Sequence, residues 1–368
     1  MTASPRSPGR CLRGAAHVLK LDHRSAMSHD ILSDVLRNVH LRGAAYYYVC
    51  GRSSWAAEAP ASREIAAAVM PDSQHVMGYH VLMRGMCWGA IVGEPPVRVA
   101  TGDIVLFPQG DPHVMSSAPG MRAPTDASSY VARKQDQLPV GLHLDGGEAR
   151  VGIAPDELCD TTVLCGFLGF DLRPFNPLIA TLPRLMHLRA SDGQDWITQF
   201  MRQAVAESTD KRPGGEAMLE RMSEMMFIDA VRRYVDTLPE DSLGWLAGLR
   251  DRFVGRALAL MHDAPAADWT VDELSRRVGL SRSALHERFA EMIRQPPMQY
   301  LANWRIQIGA ALLRNTTATV ASVAQDVGYE SEAAFGKAFK RLVGTPPALW
   351  RRQTARRPLP VPAAGTQA

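Results

Sequence analysis

The chain has 368 residues, 46% hydrophobic and 21% charged, with a formal net charge of +3. That length supports two or three domains, each with its own core, and no apolar run is long enough to span a bilayer. Five cysteines without a paired spacing argue against a disulfide scaffold, and the N-terminus lacks the continuous apolar segment of a secretory signal, so a reducing cytoplasm is expected. Charge is unevenly placed. Arg250 to Arg357 carries 17 Lys+Arg against 10 Asp+Glu, whereas the remainder is net acidic; the basic third suits a polyanionic partner.

Residues 1–29 are rich in Pro, Ser, Arg and Gly, show no periodicity and read as a disordered extension. Residues 30–175 read as a β domain. Short alternating runs predict strands at Ala44–Gly51, Gly78–Met83, Met86–Val92, Pro96–Ala100, Asp103–Pro108 and Thr161–Phe170. Arg84-Gly85, Thr101-Gly102-Asp103 and Asp145-Gly-Gly147 supply turns. Ala118 to Leu158 reads as a long polar loop with only short ordered pieces.

Over residues 176–240 the period becomes helical. Gln194–Ser208 and Gly215–Thr237 are amphipathic, and the second aligns Leu219, Met222, Met226, Ala230 and Tyr234. That stripe suits a core position and a surface for pairing with a second copy equally well. Residues 241–250 are expected to be a linker.

Residues 251–352 contain one supersecondary unit written twice. Thr270 and Thr319 stand at N-cap positions, and Thr270 with Glu273 spells a capping box. Val271, Leu274 and Val278 form one apolar stripe; Val320, Val323, Ala324 and Val327 form the other. Gly279 and Gly328 end these helices, and Ser281 and Ser331 cap second helices burying Leu285 and Phe289, or Phe335 and Phe339. Each copy is followed by a proline pair, Pro296-Pro297 and Pro346-Pro347. Between the copies, Pro297 to Arg314 predicts a helix with Leu301, Trp304, Ile308 and Leu312 facing both. Helix, glycine turn and second helix, in tandem, describe two helix-turn-helix units. Residues 353–368 read as a disordered tail.

On these residues the C-terminal third resembles the AraC/XylS family of transcription regulators. Val327-Gly-Tyr-Glu-Ser-Glu-Ala-Ala-Phe-Gly-Lys-Ala-Phe-Lys340, followed by Gly344-Thr-Pro-Pro, is near the family signature. Upstream, Gly102-Asp-Ile-Val-Leu-Phe-Pro108-Gln-Gly110-Asp-Pro-His113 is similar to the second cupin motif. The first cupin motif is incomplete, with His80 and no glutamate in register. The expected fold is therefore multidomain α+β: a cupin-like β-barrel with a helical extension, then an all-α tandem helix-turn-helix domain.

The resemblance implies double-stranded promoter DNA as partner, with RNA polymerase, a small-molecule effector and a second copy of the chain as further partners. Recognition helices present Arg282, Ser283, His286, Glu287 and Arg288 in unit one, with Arg288 expected on phosphate. Ser331, Glu332, Ala333, Lys337 and Lys340 are their counterparts in unit two. The first unit is expected to specify the sequence and the second to anchor it. His80, Trp88, Phe107 and His113 are candidates for an effector pocket in the barrel. Two histidines without a carboxylate make a poor metal site, so neither metal nor cofactor nor catalytic residue is expected. Two alternatives stand beside effector control: thiol sensing through Cys50, Cys87, Cys159 and Cys165, and, less favoured, a metal-dependent cupin enzyme, which would leave the doubled motif unexplained.

Overall fold

The computed structural model describes residues 30–39, 41–125, 139–152, 158–190, 197, 206 and 213–354. The N-terminal extension, the C-terminal tail beyond Thr354 and most of Gln194–Ser208 lie outside the described residues.

The β domain comprises α1 (Ile31–Asn38), β1 (Arg42–Arg52), β2 (Ala56–Ala59), α2 (Ser62–Val69), β3 (His75–Arg84), β4 (Met86–Ile91), β5 (Val97–Ala100), β6 (Ile104–Phe107), β7 (His113–Ser116), β8 (Val140–Asp145), β9 (Glu148–Val151), β10 (Thr161–Phe170) and β11 (Met186–Leu188). One sheet runs β11-β6-β3-β10-β1-β8-β9 and the other β2-β7-β4-β5. Among the described residues no ladder joins them, so the expected barrel is two facing sheets. Leu82, Cys87, Ile91, Val99, Phe107, Met115 and Val163 fill the space between.

All six predicted strands form. In the β domain the sequence reading missed α1, α2, β2, β7 and β11, and it left β8 and β9 inside the supposed polar loop. Strands β2, β7 and β11 are only three or four residues long, too short to show a clean alternation.

The helical part comprises α3 (Gly215–Thr237), α4 (Trp245–Arg250), α5 (Val254–Asp263), α6 (Val271–Val278), α7 (Arg282–Ile293), α8 (Pro297–Asn315), α9 (Val320–Asp326), α10 (Glu332–Val343) and α11 (Pro347–Thr354). Helix α3 lies on the long sheet and buries Leu219, Met222, Met226, Phe227 and Ala230, while the Tyr79 hydroxyl meets Ser223 Oγ at 2.6 Å. Its apolar stripe is thus spent inside the chain, while Met225 on the same helix is exposed. The expected linker is half helix: Trp245, Leu246 and Ala247 of α4 are buried, and the Trp245 indole donates to Tyr300 Oη at 2.9 Å.

Three apolar clusters organise the molecule. The first is the space between the sheets. The second runs from the outer face of the long sheet through α3 and α4 into α5, α6, α7 and the first half of α8. The third, around Ile306, Ala310, Val323, Phe335, Phe339 and Trp350, belongs to the second helix-turn-helix unit alone. Sensor and first unit therefore share one core, and the second unit is attached through α8.

Candidate nucleic-acid interface and its sensor

In unit one, Thr270 Oγ1 accepts the Glu273 amide at 3.1 Å, capping α6. The Glu273 carboxylate takes Arg276 and Arg277 instead of completing the capping box. Gly279 follows in the left-handed conformation, φ +82°, and Ser281 Oγ caps α7 by accepting the Ala284 amide at 3.2 Å. Leu274, Val278, Leu285 and Phe289 close the inner side. Arg282, Ser283, His286 and Glu287 consequently stand exposed on one outer side of α7.

Arg288 differs from expectation. Its guanidinium grips Asp251, with Nε at 3.1 Å and Nη2 at 2.5 Å from Oδ2, beside the Phe253 ring. Asp251 also accepts the Phe253 and Val254 amides at the start of α5. Burial works against the charge on Asp251, yet the Arg288 and backbone hydrogen bonds hold its carboxyl below the ordinary carboxylate value. Arg288 thus joins α7 to α5 rather than standing free for phosphate. Sequence reasoning missed this because Asp251 lies 37 residues away with no local signal.

Unit two repeats the construction. Thr319 Oγ1 accepts the Ser322 amide and Ser331 Oγ accepts the Ala334 amide, at 3.1 and 3.2 Å. Phe335 and Phe339 are buried, whereas Glu332, Ala333, Lys337 and Lys340 are exposed. Neither lysine has a carboxylate partner among the described residues. The Ser331 oxygen is engaged as the cap, in line with the start of α10.

The sensor grips α8 on the side its two units leave open. Gln307 is fully buried there; its Nε2 donates to the Asn38 carbonyl at 2.6 Å and its Oε1 accepts the Phe175 amide at 2.9 Å. Arg314 forms an ion pair with Asp171, both side chains being largely buried. On α5, His262 Nδ1 lies 3.5 Å from Asp34 of α1. None of these residues belongs to a motif. Helix α8 buries Leu301 and Trp304 as predicted, whereas Ile308 and Leu312 are only half-buried, because unit two closes on Ile306, Ala310 and Leu313 instead.

Within the sensor, His80, Phe107 and His113 come together as predicted. Phe107 stacks on His113 with centroids 3.8 Å apart, and His80 Nε2 meets His113 Nε2 at 2.8 Å. The partners dictate the protons. The Asp111 carbonyl, 2.9 Å from His113 Nδ1, can only accept, so Nδ1 carries the hydrogen and Nε2 accepts from His80. His80 Nδ1 then accepts from the Cys165 thiol at 3.0 Å. Burial keeps both rings neutral, pushing His113 down to about 4 and His80 well below its ordinary value. Phe107 and His113 are thus stacked, and His80 stands edge-on to both rings, with centroids 5.8 and 5.0 Å away.

Trp88 is elsewhere. It lines a hollow of about 280 Å³ on the other face of the short sheet with Ala90, Val114 and Met121. A larger hollow of about 430 Å³ opens between α2 and the β6–β7 turn, beside Ser62, His75 and Gln109. Among the described residues no cluster of three or more His, Cys, Asp or Glu could hold a metal ion.

The four candidate redox cysteines divide. Cys50 and Cys159 form a disulfide, contrary to the expectation from their spacing. They are 109 residues apart, but pairing of β1 with β10 sets Gly51 beside Thr161, two residues after Cys159. Cys87 and Cys165 are free thiols, and burial raises both, Cys87 to about 12, so neither is an active thiolate in this state.

Comparison with known proteins agrees with this architecture. Residues 30–236 match the family described as Cupin and residues 274–353 the family described as Helix-turn-helix domain. A putative AraC-like transcription regulator of Streptomyces lividans is 33% identical over 77% of this chain and 90% of its own length. The regulator AlkR of Acinetobacter baylyi is 26% identical over 88% of this chain and its full length. Among solved structures, the DNA-binding domain of AdpA in complex with a target DNA is 26% identical over 28% of this chain and 92% of its own, with a TM-score of 0.27. A cupin-type domain fused through a shared core to two capped helix-turn-helix units, the chain belongs to the AraC-like family of DNA-binding transcription regulators.

Proposed function

We propose that the two units read successive major-groove segments on one face of a promoter, about 10 base pairs apart, under control of a small-molecule effector bound by the sensor. The observation carrying this reading is the division of labour between the outer faces. Unit one offers Ser283, His286 and Glu287, side chains able to hydrogen-bond base edges, with Glu287 suited to cytosine N4. Unit two offers Ala333 and Gly336 at its start, which discriminate little, together with Lys337 and Lys340 free for phosphate. Unit one specifies and unit two anchors.

Control passes through the joint around Gln307 and Arg314. The recognition helices remain exposed while the sensor is docked, so the effector acts by changing how α8 is held rather than by uncovering a face. The hollows beside Trp88 and beneath α2 are the effector sites the fold offers, in place of the packed His80–His113 pair. RNA polymerase and a second copy of the chain complete the assembly at a cytoplasmic promoter. A thiol-based reading rests on the Cys50–Cys159 pair, whose reduction would untie the segment before β10 from β1.

Selecting duplexes from a random-sequence library with the full chain tests the reading. Enriched sequences should show strong base preference in one segment and weak preference in the next. Equal discrimination in both segments would sink the division of labour.

A further inference from the structure

The fully buried apolar residues of the two helix-turn-helix units form separate clusters: unit one closes on Tyr300, Leu301 and Trp304 of α8, unit two on Ile306, Ala310 and Leu313, and the half-buried Ile308 touches both. A helix shared in this way sets the distance between the units but leaves each able to rock about it, since side chains slide more easily than they unpack. A contact between the units away from α8 would limit that rocking.

Arg305 lies between the two halves of α8. Its Nε donates to the Pro265 carbonyl at 2.6 Å and its Nη2 to the Ala267 carbonyl at 2.7 Å, both in the turn that leads into α6 of unit one. Its Nη1 donates to the Gly328 carbonyl at 3.0 Å, in the turn that leads into α10 of unit two. One planar fork thus holds three carbonyls on two turns, a task its fixed geometry suits and an ammonium group cannot copy. The turns also touch directly. Gly328 has φ +83°, and a Cβ there would lie 2.7 Å from both Cα and O of Ala266. The unit-one turn is itself stiffened by Trp269, whose indole donates to the Ala264 carbonyl at 2.9 Å, with Arg277 over its ring.

We propose that Arg305 is a positioning residue for DNA reading: by bracing the turn at Pro265–Ala267 against Gly328, it restricts the protein to DNA with one separation between its two contacted segments. The claim rests on the two-segment reading above. It differs from it in assigning the separation to a single side chain and two touching turns, not to α8 alone.

The test uses the full chain and duplexes selected from a random-sequence library by the wild type, then lengthened or shortened by one or two base pairs between the segments. Each added pair both shifts and rotates the second segment, so the wild type should lose about tenfold in affinity per pair. Arg305→Ala should lose less than about threefold per pair while binding a duplex with one segment as the wild type does. Arg305→Lys should resemble the alanine variant, because the charge survives and the fork does not. Gly328→Ala keeps Arg305 but forces the turns apart; it should displace or broaden the optimum with single-segment binding unchanged.

A wild-type spacing profile in the folded variants overturns the proposal. So does loss of single-segment binding in both Arg305→Ala and Gly328→Ala, which would make the contact a matter of folding only. If one of those variants does not fold, the other decides. A selection that enriches no duplex removes the two-segment reading and this inference together, whereas a normal selection with unaltered spacing dependence removes this inference alone.

Discussion

Gln307, midway along α8, donates its side-chain amide to the carbonyl of Asn38 across 2.6 Å, and it is fully buried while doing so. A polar group buried in the reader is thereby satisfied by backbone of the sensor, with Phe175 N–H completing the pair. Undocking the sensor would strip both bonds at once.

Replacing Gln307 with leucine keeps the volume but orphans the Asn38 carbonyl and the Phe175 amide. A loss of about 1–3 kcal/mol is expected from the groups left without partners. Hydrogen exchange read at the Phe175 amide should speed up, and the DNA-binding response to the effector should weaken. Unchanged exchange there would show that the joint does not depend on this residue.

Arg288 and Lys340 lie on the two recognition helices but should behave oppositely. Lys340→Gln removes a free cation and should lower the slope of log affinity against log salt by about one. Arg288→Gln breaks the ion pair with Asp251 and should lower stability with little change in that slope. The Asp251 carboxyl is held below its ordinary 3.8, so its stabilising bonds are present above that pH and are lost as pH falls through the lower folded value. Asp251→Asn should therefore destabilise near neutral pH and converge with the wild type in strong acid. A slope change for Arg288→Gln as large as that for Lys340→Gln would restore Arg288 to the phosphate contacts.

The repeat exposes one strained position. Gly344 ends α10 at φ +88°, and the equivalent place after α7 is Arg294 at φ +62°. A side chain there costs about 1–2 kcal/mol relative to glycine, as left-handed backbone brings the β-carbon close to the following carbonyl oxygen. Arg294→Gly should raise the urea midpoint modestly, an effect partly offset by the extra freedom of the unfolded glycine. A fall in the midpoint would mean that the arginine makes compensating contacts.

His113 predicts an acid limb. The unfolded imidazole takes a proton at its ordinary 6.5, whereas the buried folded ring resists until about 4. The unfolded state binds more protons throughout that window, so stability is complete above it and declines as pH falls across it. Urea midpoints of the wild type should drop between about pH 7.5 and about pH 5, and His113→Gln should flatten the drop. Parallel curves would place the acid sensitivity elsewhere.

Local chemistry carried much of this protein in readable form. A Thr or Ser cap, a stripe at helical spacing and a glycine stop act within a few residues, so α6, α7, α9 and α10 could be placed from the chain alone. The six alternating strands and the Gly102–His113 motif were legible for the same reason. Short edge strands such as β2 were not, since their stability comes from the neighbour they pair with rather than from their own pattern.

Tertiary structure alone decided which exposed charges are free and what joins the halves. Arg288 and Lys340 look alike in sequence, yet only Arg288 finds a carboxylate, 37 residues away. Cys50 with Cys159, Gln307 with Asn38, and Arg305 with Gly328 are meetings across 109, 269 and 23 residues, respectively. The physical reason is range: caps and periodicity are set by neighbours along the chain, whereas desolvation and partner choice depend on which distant surfaces the packing brings together.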